Sequence, residues 1–197
     1  SLIRSGAPQT LANSVVDKVS ADIVSGKTTT QNIYTRAYGL LKKMDERPVA
    51  ARYSLKKAIM ALGPTGFPFE HFLGEIFKRH GYRVQVGVIV EGYCVPHEVD
   101  VVAIKDDIHA LDEAKLHNHP GIHTDVKVPL YINSRFQDIE KQLKLDGDTH
   151  KKHESWVVTN THFTSSAVEY GECQGLTLLG WRYPETGGLE KMIEDVG

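Results

Sequence analysis

From Arg83 to Ile104 the hydrophobic pattern has period two or runs unbroken: Val84, Val86, Val88 and Val90, then Val99, Val101 and Val102. Alternation of this kind is what a half-buried β-strand requires, and β-branched residues suit it. Two strands joined around Glu91-Gly92-Tyr93 are expected, with a third from Ile108 to Lys115. The second carries Glu98 and Asp100 two apart in an otherwise apolar run, so alternation points both to one face. The third repeats the spacing with Glu113 and Lys115. Pairing the two strands would bring Asp100, Glu113 and Lys115 to one spot. Like charges crowded together cost free energy unless a cation neutralises them, and hard oxygen ligands suit magnesium or manganese. An ammonium beside such a centre can position a water or stabilise charge developing on a phosphate. The three residues therefore read as a metal-dependent phosphodiesterase centre.

Residues 7 to 62 read as helical throughout. Leu11, Val15, Val19 and Ile23 recur every four residues, with Ser25-Gly26 as a stop. Thr30 can cap a second helix bearing Ile33, Ala37, Leu40 and Leu41. Pro48 suits the first turn of a third helix, which carries Tyr53, Ala58, Ile59 and Leu62. Gly63-Pro64-Thr65-Gly66 then breaks the pattern. After it, Phe69, Phe72, Leu73, Ile76 and Phe77 form an apolar stripe at helical spacing, with Glu70 at its edge in a first turn that favours a carboxylate. Beyond the third strand come a helix from about 126 to 145, a strand over 155–159, a helix starting at Thr164 or Ser165, a strand over 176–179 and a short last helix over 188–196. Strands alternating with helices predict a mixed α/β sheet covered on both faces.

At 197 residues the chain suits one compact domain and a smaller appendage, and 41% hydrophobic residues suffice for a core. A formal net charge of −2 gives no overall pull toward nucleic acid, so a polyanion site must be a local basic patch. Two isolated cysteines, Cys94 and Cys173, fit a reducing cytoplasm better than a disulfide framework. No apolar run approaches a membrane span. The chain begins without Met on what looks like the middle of a domain, so a fragment of a longer protein is expected.

Phe69-Glu70 on a helix, Asp100 on a strand and Glu113-Ala114-Lys115 on the next occur in the order of the PD-(D/E)xK nuclease superfamily. The chain resembles its Mrr-like restriction endonucleases over roughly residues 66 to 182. Val157-Val158-Thr159-Asn160 and Leu176 to Trp181 are similar to the closing half of that family. Val99 stands where the motif's proline would directly precede Asp100, and Ala114 is a permitted small residue between Glu113 and Lys115. The resemblance implies a restriction-endonuclease-like mixed sheet flanked by helices over 66–197, and a Mg2+- or Mn2+-dependent endodeoxyribonuclease whose partner is DNA. It implies that Asp100 and Glu113 hold one or two ions, that Glu70 completes the shell, and that Lys115 orients or helps deprotonate the attacking water. Residues 1–62, with Ser1-Leu2-Ile3-Arg4-Ser5-Gly6-Ala7 and the Ile33-Tyr34 helix, resemble the C-terminal helices of an ATP-cone, a regulatory nucleotide-binding domain. The cone's phosphate-contacting N-terminal strands are absent, so ATP is expected of a fuller protein rather than of this chain.

Glu98 is either a further ligand or paired with a nearby Arg or Lys. His97 either contacts a phosphate or is a satisfied structural histidine. Arg135 and Gln137 could reach DNA phosphates, with Lys141, Lys144, Lys151 and Lys152 extending a basic strip. Each lysine alone is more simply a solubility residue. His117, His119 and His123 lack the helical spacing and cysteines of zinc sites and read as loop surface. The rival to a nuclease is a DNA-binding or nucleotide-sensing regulatory protein that does not cut. Cleavage of RNA or branched DNA is a third reading. A cut across both strands needs two sites, which a homodimer would supply.

Overall fold

The computed structural model describes residues 2–23, 29–119, 121–148 and 152–196, so the Ser25-Gly26 helix stop and Lys151 lie outside the described residues. The chain divides into two compact units, Ser1–Ile59 and Met60–Gly197.

In the first unit a short 3-10 turn, Ile3–Ser5, leads into helices α1 (Gln9–Ile23), α2 (Thr30–Lys43) and α3 (Arg47–Met60). Leu11, Val15, Val19, Ala37, Leu41, Val49 and Ala50 make its core. The cap of α2 is Thr29, one residue before the expected Thr30, and its hydroxyl accepts from the Asn32 N–H at 3.2 Å. Ile33, expected on the packed side, is exposed, because Ala37 and Leu41 define the buried side of α2.

The second unit is a mixed α/β sheet with helices against it. Helix α4 (Phe67–Arg79) precedes strands β1 (Arg83–Val90), β2 (His97–Lys105) and β3 (Ile108–Lys115). Then follow β4 (His123–Thr124), α5 (Lys127–Leu145), β5 (Lys152–Thr159), β6 (His162–Phe163), α6 (Ser165–Gln174), β7 (Thr177–Leu179) and α7 (Leu189–Val196). The main sheet has the order β1-β2-β3-β5-β7, and β4 and β6 make a separate two-stranded pair. Short turns leave β1, β2 and β3 antiparallel, whereas the α5 and α6 crossovers make β5 and β7 parallel to their neighbours. The aromatic stripe of α4 buries Phe69, Leu73, Ile76 and Phe77, with the Phe77 ring edge-on to Trp156 of β5 at 5.6 Å. Helix α5 buries Ile139 among Val99, Val102 and Leu111, with Phe136 and Leu143 beside them. The β4–β6 pair is too short to leave a periodic signal. Among the described residues no helix is long and apolar enough to cross a membrane.

One irregularity sits where the chemistry is expected. The β1–β2 register runs from Arg83↔Ile104 to Val86↔Val101 and resumes at Val88↔Val99, skipping Gly87 and Asp100. Gly87 has φ +64, a conformation side chains disfavour. Val84 and Val86 lie against Gly74 of α4, whereas Val88 and Val99 join the cluster around Ile139 of α5. The hairpin thus changes the side it presents at Asp100. The expectation that alternation points Glu98 and Asp100 together is corrected accordingly.

Candidate active site

Asp100 stands at the interruption, freed from the regular ladder. Its Oδ2 accepts the backbone N–H of Ala114 at 2.8 Å, and Ala114 is the residue between Glu113 and Lys115. The carboxylate of β2 is thereby held against the Glu-x-Lys segment of β3. Burial, and then the charges of Glu113 and Glu70, push the Asp100 carboxyl up to about 7, against the pull of the Ala114 N–H and Arg135. Glu70, in the first turn of α4, is also raised, by burial, then Glu98, with Glu113 adding. Four acidic residues from three elements therefore feel one another. Glu98, exposed, adds its charge to those felt by Glu70.

Glu113 is claimed from the other side. The Tyr131 hydroxyl donates to its Oε1 at 2.6 Å and the Arg135 guanidinium to its Oε2 at 3.2 Å. Arg135 also donates to the Glu98 carbonyl. The Tyr131 hydroxyl is correspondingly harder to ionise, through burial and then this bond. Arg135 is turned into the site and does not stand free for DNA phosphates, which corrects that expectation. Lys115 follows Glu113 by two residues on a regular stretch of β3, which puts both on one side of the strand. Its charge is felt at His117, whose ring is held low by burial, then by Lys115 and His123.

Asp112, between these groups in sequence, was not anticipated. It is 1% exposed, lies opposite Val101 and beside Trp156, and neither carboxyl oxygen has a hydrogen-bond partner. Burial, then Asp100 and Glu113, raise it well above the usual carboxylate range. Its signal in the sequence was an acid inside the apolar run Ala110-Leu111. Tyr131, Arg135 and Asp138 also had a signal, since the spacing 131, 135, 138 puts them on one side of a helix.

Hard carboxylate oxygens that repel one another fit a divalent cation chemically. As placed, no three His, Cys, Asp or Glu among the described residues gather into a ligand set, and Glu113 is drawn toward α5 by Tyr131 and Arg135.

His97 is a structural histidine here. Its Nε2 lies 2.8 Å from Asp138 Oδ2, and Asp138 also accepts the backbone N–H groups of Cys94 at 3.0 Å and Val95 at 3.3 Å. A Cβ on Gly92 would run into Asp138 Oδ2 and the Val95 carbonyl, so only glycine fits that turn. These partners, His97 foremost, hold the Asp138 carboxyl down to about 2. Its contribution to stability is therefore full above the ordinary carboxylate range and lost as pH falls toward 2. Replacing Asp138 by alanine should speed amide hydrogen exchange at Cys94 and Val95 while leaving β3 amides unchanged. Exchange at Cys94 and Val95 as slow as in the parent would remove the anchor.

Gln137 is exposed on α5. Lys141 lies over the Tyr93 ring, Lys144 pairs with Glu140 at 2.9 Å and Lys152 with Glu154 at 2.6 Å, so three members of the expected basic strip are locally engaged. His117 is fixed by Asn160 and Thr124, and His123 pairs with His162 across β4–β6. His119 is exposed. Cys94 and Cys173 are free thiols at the surface.

No protein-family model matches the chain. An uncharacterized protein of Archaeoglobus fulgidus is 38% identical over 125 residues, covering 64% of this chain and 67% of that protein. The chain belongs to the family of this archaeal protein. The family likeness recurs in a crystal structure of AF1548, a protein of unknown function, at 36% identity and a TM-score of 0.59 over 66% of each chain. The chain thus spans about two thirds of the length of these relatives. Looser overlaps occur with the MspJI restriction endonuclease bound to a 27-mer oligonucleotide (TM-score 0.43, 13% identity, 66% of this chain and 29% of that one) and with Can2 from Sulfobacillus thermosulfidooxidans bound to cyclic tetra-adenylate (0.47, 12%, 95% and 51%).

Proposed function

We propose that Met60–Gly197 is a divalent-metal-dependent DNA endonuclease of the Mrr-like type. The observation that carries the reading is the Asp100–Ala114 hydrogen bond, which fastens one acidic group against Glu113 and Lys115 across two strands. Asp100 and Glu113 would hold the ion, with Glu70 completing the set. Bound there, magnesium or manganese would supply Lewis-acid polarisation of the scissile phosphate. Lys115 orients the attacking water and stabilises charge developing on the phosphate oxygens. Arg135, bonded to Glu113 and to the Glu98 carbonyl, positions the Glu113 carboxylate from the α5 side.

Nicking of supercoiled plasmid with magnesium, manganese or EDTA tests this. Cleavage should need the metal, and Lys115→Ala should lower it on the order of 10²-fold or more, as loss of a positioned proton-transfer group does. Metal-independent nicking, or an undiminished Lys115→Ala variant, would overturn the reading. The engagement of Glu113 by Tyr131 and Arg135 favours a second reading, a DNA-binding or nucleotide-sensing regulatory protein that does not cut; binding without cleavage under every metal would select it. Adding ATP to the same assay tests regulation through residues 1–62.

A further inference from the structure

A total charge of −2 conceals two units of opposite sign. Ser1–Ile59 holds ten Lys and Arg against four Asp and Glu, a net of +6. Met60–Gly197 holds 13 against 21, a net of −8. A polyanion approaching the acidic unit meets repulsion everywhere but at local cations, while the helical unit attracts it. Such asymmetry between the parts of one chain is the electrostatic footprint of nucleic-acid contact.

The helical unit also presents aromatic rings together with that charge. Tyr34 and Tyr38 of α2 stack at 6.4 Å and 6° from parallel, and Tyr34 and Tyr53 of α3 at 5.0 Å and 10°. Lys57 Nζ sits 4.8 Å over the Tyr34 ring and Lys42 Nζ 5.4 Å over the Tyr38 ring. Ala37, Leu41, Val49 and Ala50 are the buried residues of these two helices in the core; Tyr38 and Tyr53 are half-buried against it, and Tyr34 is half-buried. Both lysines are exposed, on flexible stems that can swing from ring to phosphate. Near-parallel rings with ammonium groups beside them offer stacking to any base and charge to any phosphate, the combination that holds single strands without reading sequence.

We propose that the α2–α3 face around Tyr34, Tyr38, Tyr53, Lys42 and Lys57 binds single-stranded nucleic acid. The proposal rests on the nuclease reading only for what the strand is used for: a strand held by one unit stands at raised local concentration for the other. Binding itself is independent of cutting.

The test uses the full chain in EDTA, with fluorescence anisotropy of a labelled 20-mer of oligodeoxythymidine. Affinity should fall with salt. Lys42→Gln combined with Lys57→Gln should weaken it about tenfold and flatten the log–log salt slope by about 1.4, two phosphate contacts on a single strand. Tyr34→Leu, a good helix former, should weaken it about tenfold or more with the salt slope unchanged, as loss of one stacked base does. A matching oligouridine separates DNA from RNA; tight binding of either supports the proposal. Parent-like affinity in both variants, an abasic 20-mer bound as tightly as the thymidine one, or tighter binding of duplex, would overturn it. Circular dichroism of each variant excludes unfolding as the cause of a loss. Plasmid nicking, run separately with magnesium, reports on the nuclease reading, so either can fail while the other stands.

Discussion

With asparagine in place of Asp100, metal-dependent nicking should fall on the order of 10³-fold while the metal-free protein becomes harder to melt. The two effects have one origin. Burial, and then the charges of Glu113 and Glu70, raise the half-buried Asp100 carboxyl to about 7. In the unfolded chain the same group ionises near its ordinary value, so between about pH 4 and 7 the folded state binds the extra proton. Stability therefore declines as pH rises through that window, and the deficit is complete above about 7. Asparagine keeps an acceptor for the Ala114 N–H and carries no charge. After allowing for solvent screening of a half-exposed group, the expected gain at pH 8 is about 1–2 kcal/mol, roughly 2–8 °C in a domain of this size. At pH 4 the gap should nearly close. Magnesium should then raise the melting temperature of the parent and leave the variant where it is. Thermal melts at pH 4 and 8, with and without magnesium, read all of this. A variant that melts lower than the parent at pH 8 and still nicks plasmid would end the assignment of Asp100.

The sequence carried much of this arrangement because strands and helices here have strong, separable periods. The stripe from Phe69 to Phe77 and the α5 pattern of Ile132, Phe136, Ile139 and Leu143 each bury the side their spacing marks. Asp100, Glu113 and Lys115 stood out as polar residues at period two, whereas Glu70 was picked out only by the family resemblance. What failed was local. Alternation assumes an unbroken strand, and Gly87 with Asp100 breaks it; only a glycine with no evident turn partner hinted at this. Arg135 looked like a phosphate contact because sequence gives no acceptor for a guanidinium, whereas the fold supplies Glu113 and the Glu98 carbonyl. His97 was ambiguous until Asp138, 41 positions away, came within 2.8 Å. The charge division was countable from the sequence, since the expected boundary at 62 encloses the same charged residues as the boundary at Ile59.

Asp112→Val should be the most stabilising single substitution in the second unit. A buried carboxyl whose two oxygens lack partners forgoes hydration in the folded state and gains nothing in exchange. Its only relief is to stay protonated, and burial, with Asp100 and Glu113 adding, holds it so well above the usual carboxylate range. The folded state thus keeps a proton that the unfolded chain gives up, so stability should fall steadily from about pH 4 upward until the folded group ionises. Valine suits the strand, faces Val101 directly and adds little volume. The expected gain at pH 8 is about 2–4 kcal/mol, with a visibly flatter stability–pH curve. Urea titrations at pH 5, 7 and 9 measure both. Loss of stability at every pH would mean that Asp112 has a partner, such as a buried water, and that the acid is structural. Gain of stability with undiminished nicking would show that Asp112 is not needed for chemistry. Gain of stability with lost nicking would instead place Asp112 behind Glu113 as a positioning residue, its neutral carboxyl setting how β3 presents Glu113 and Lys115.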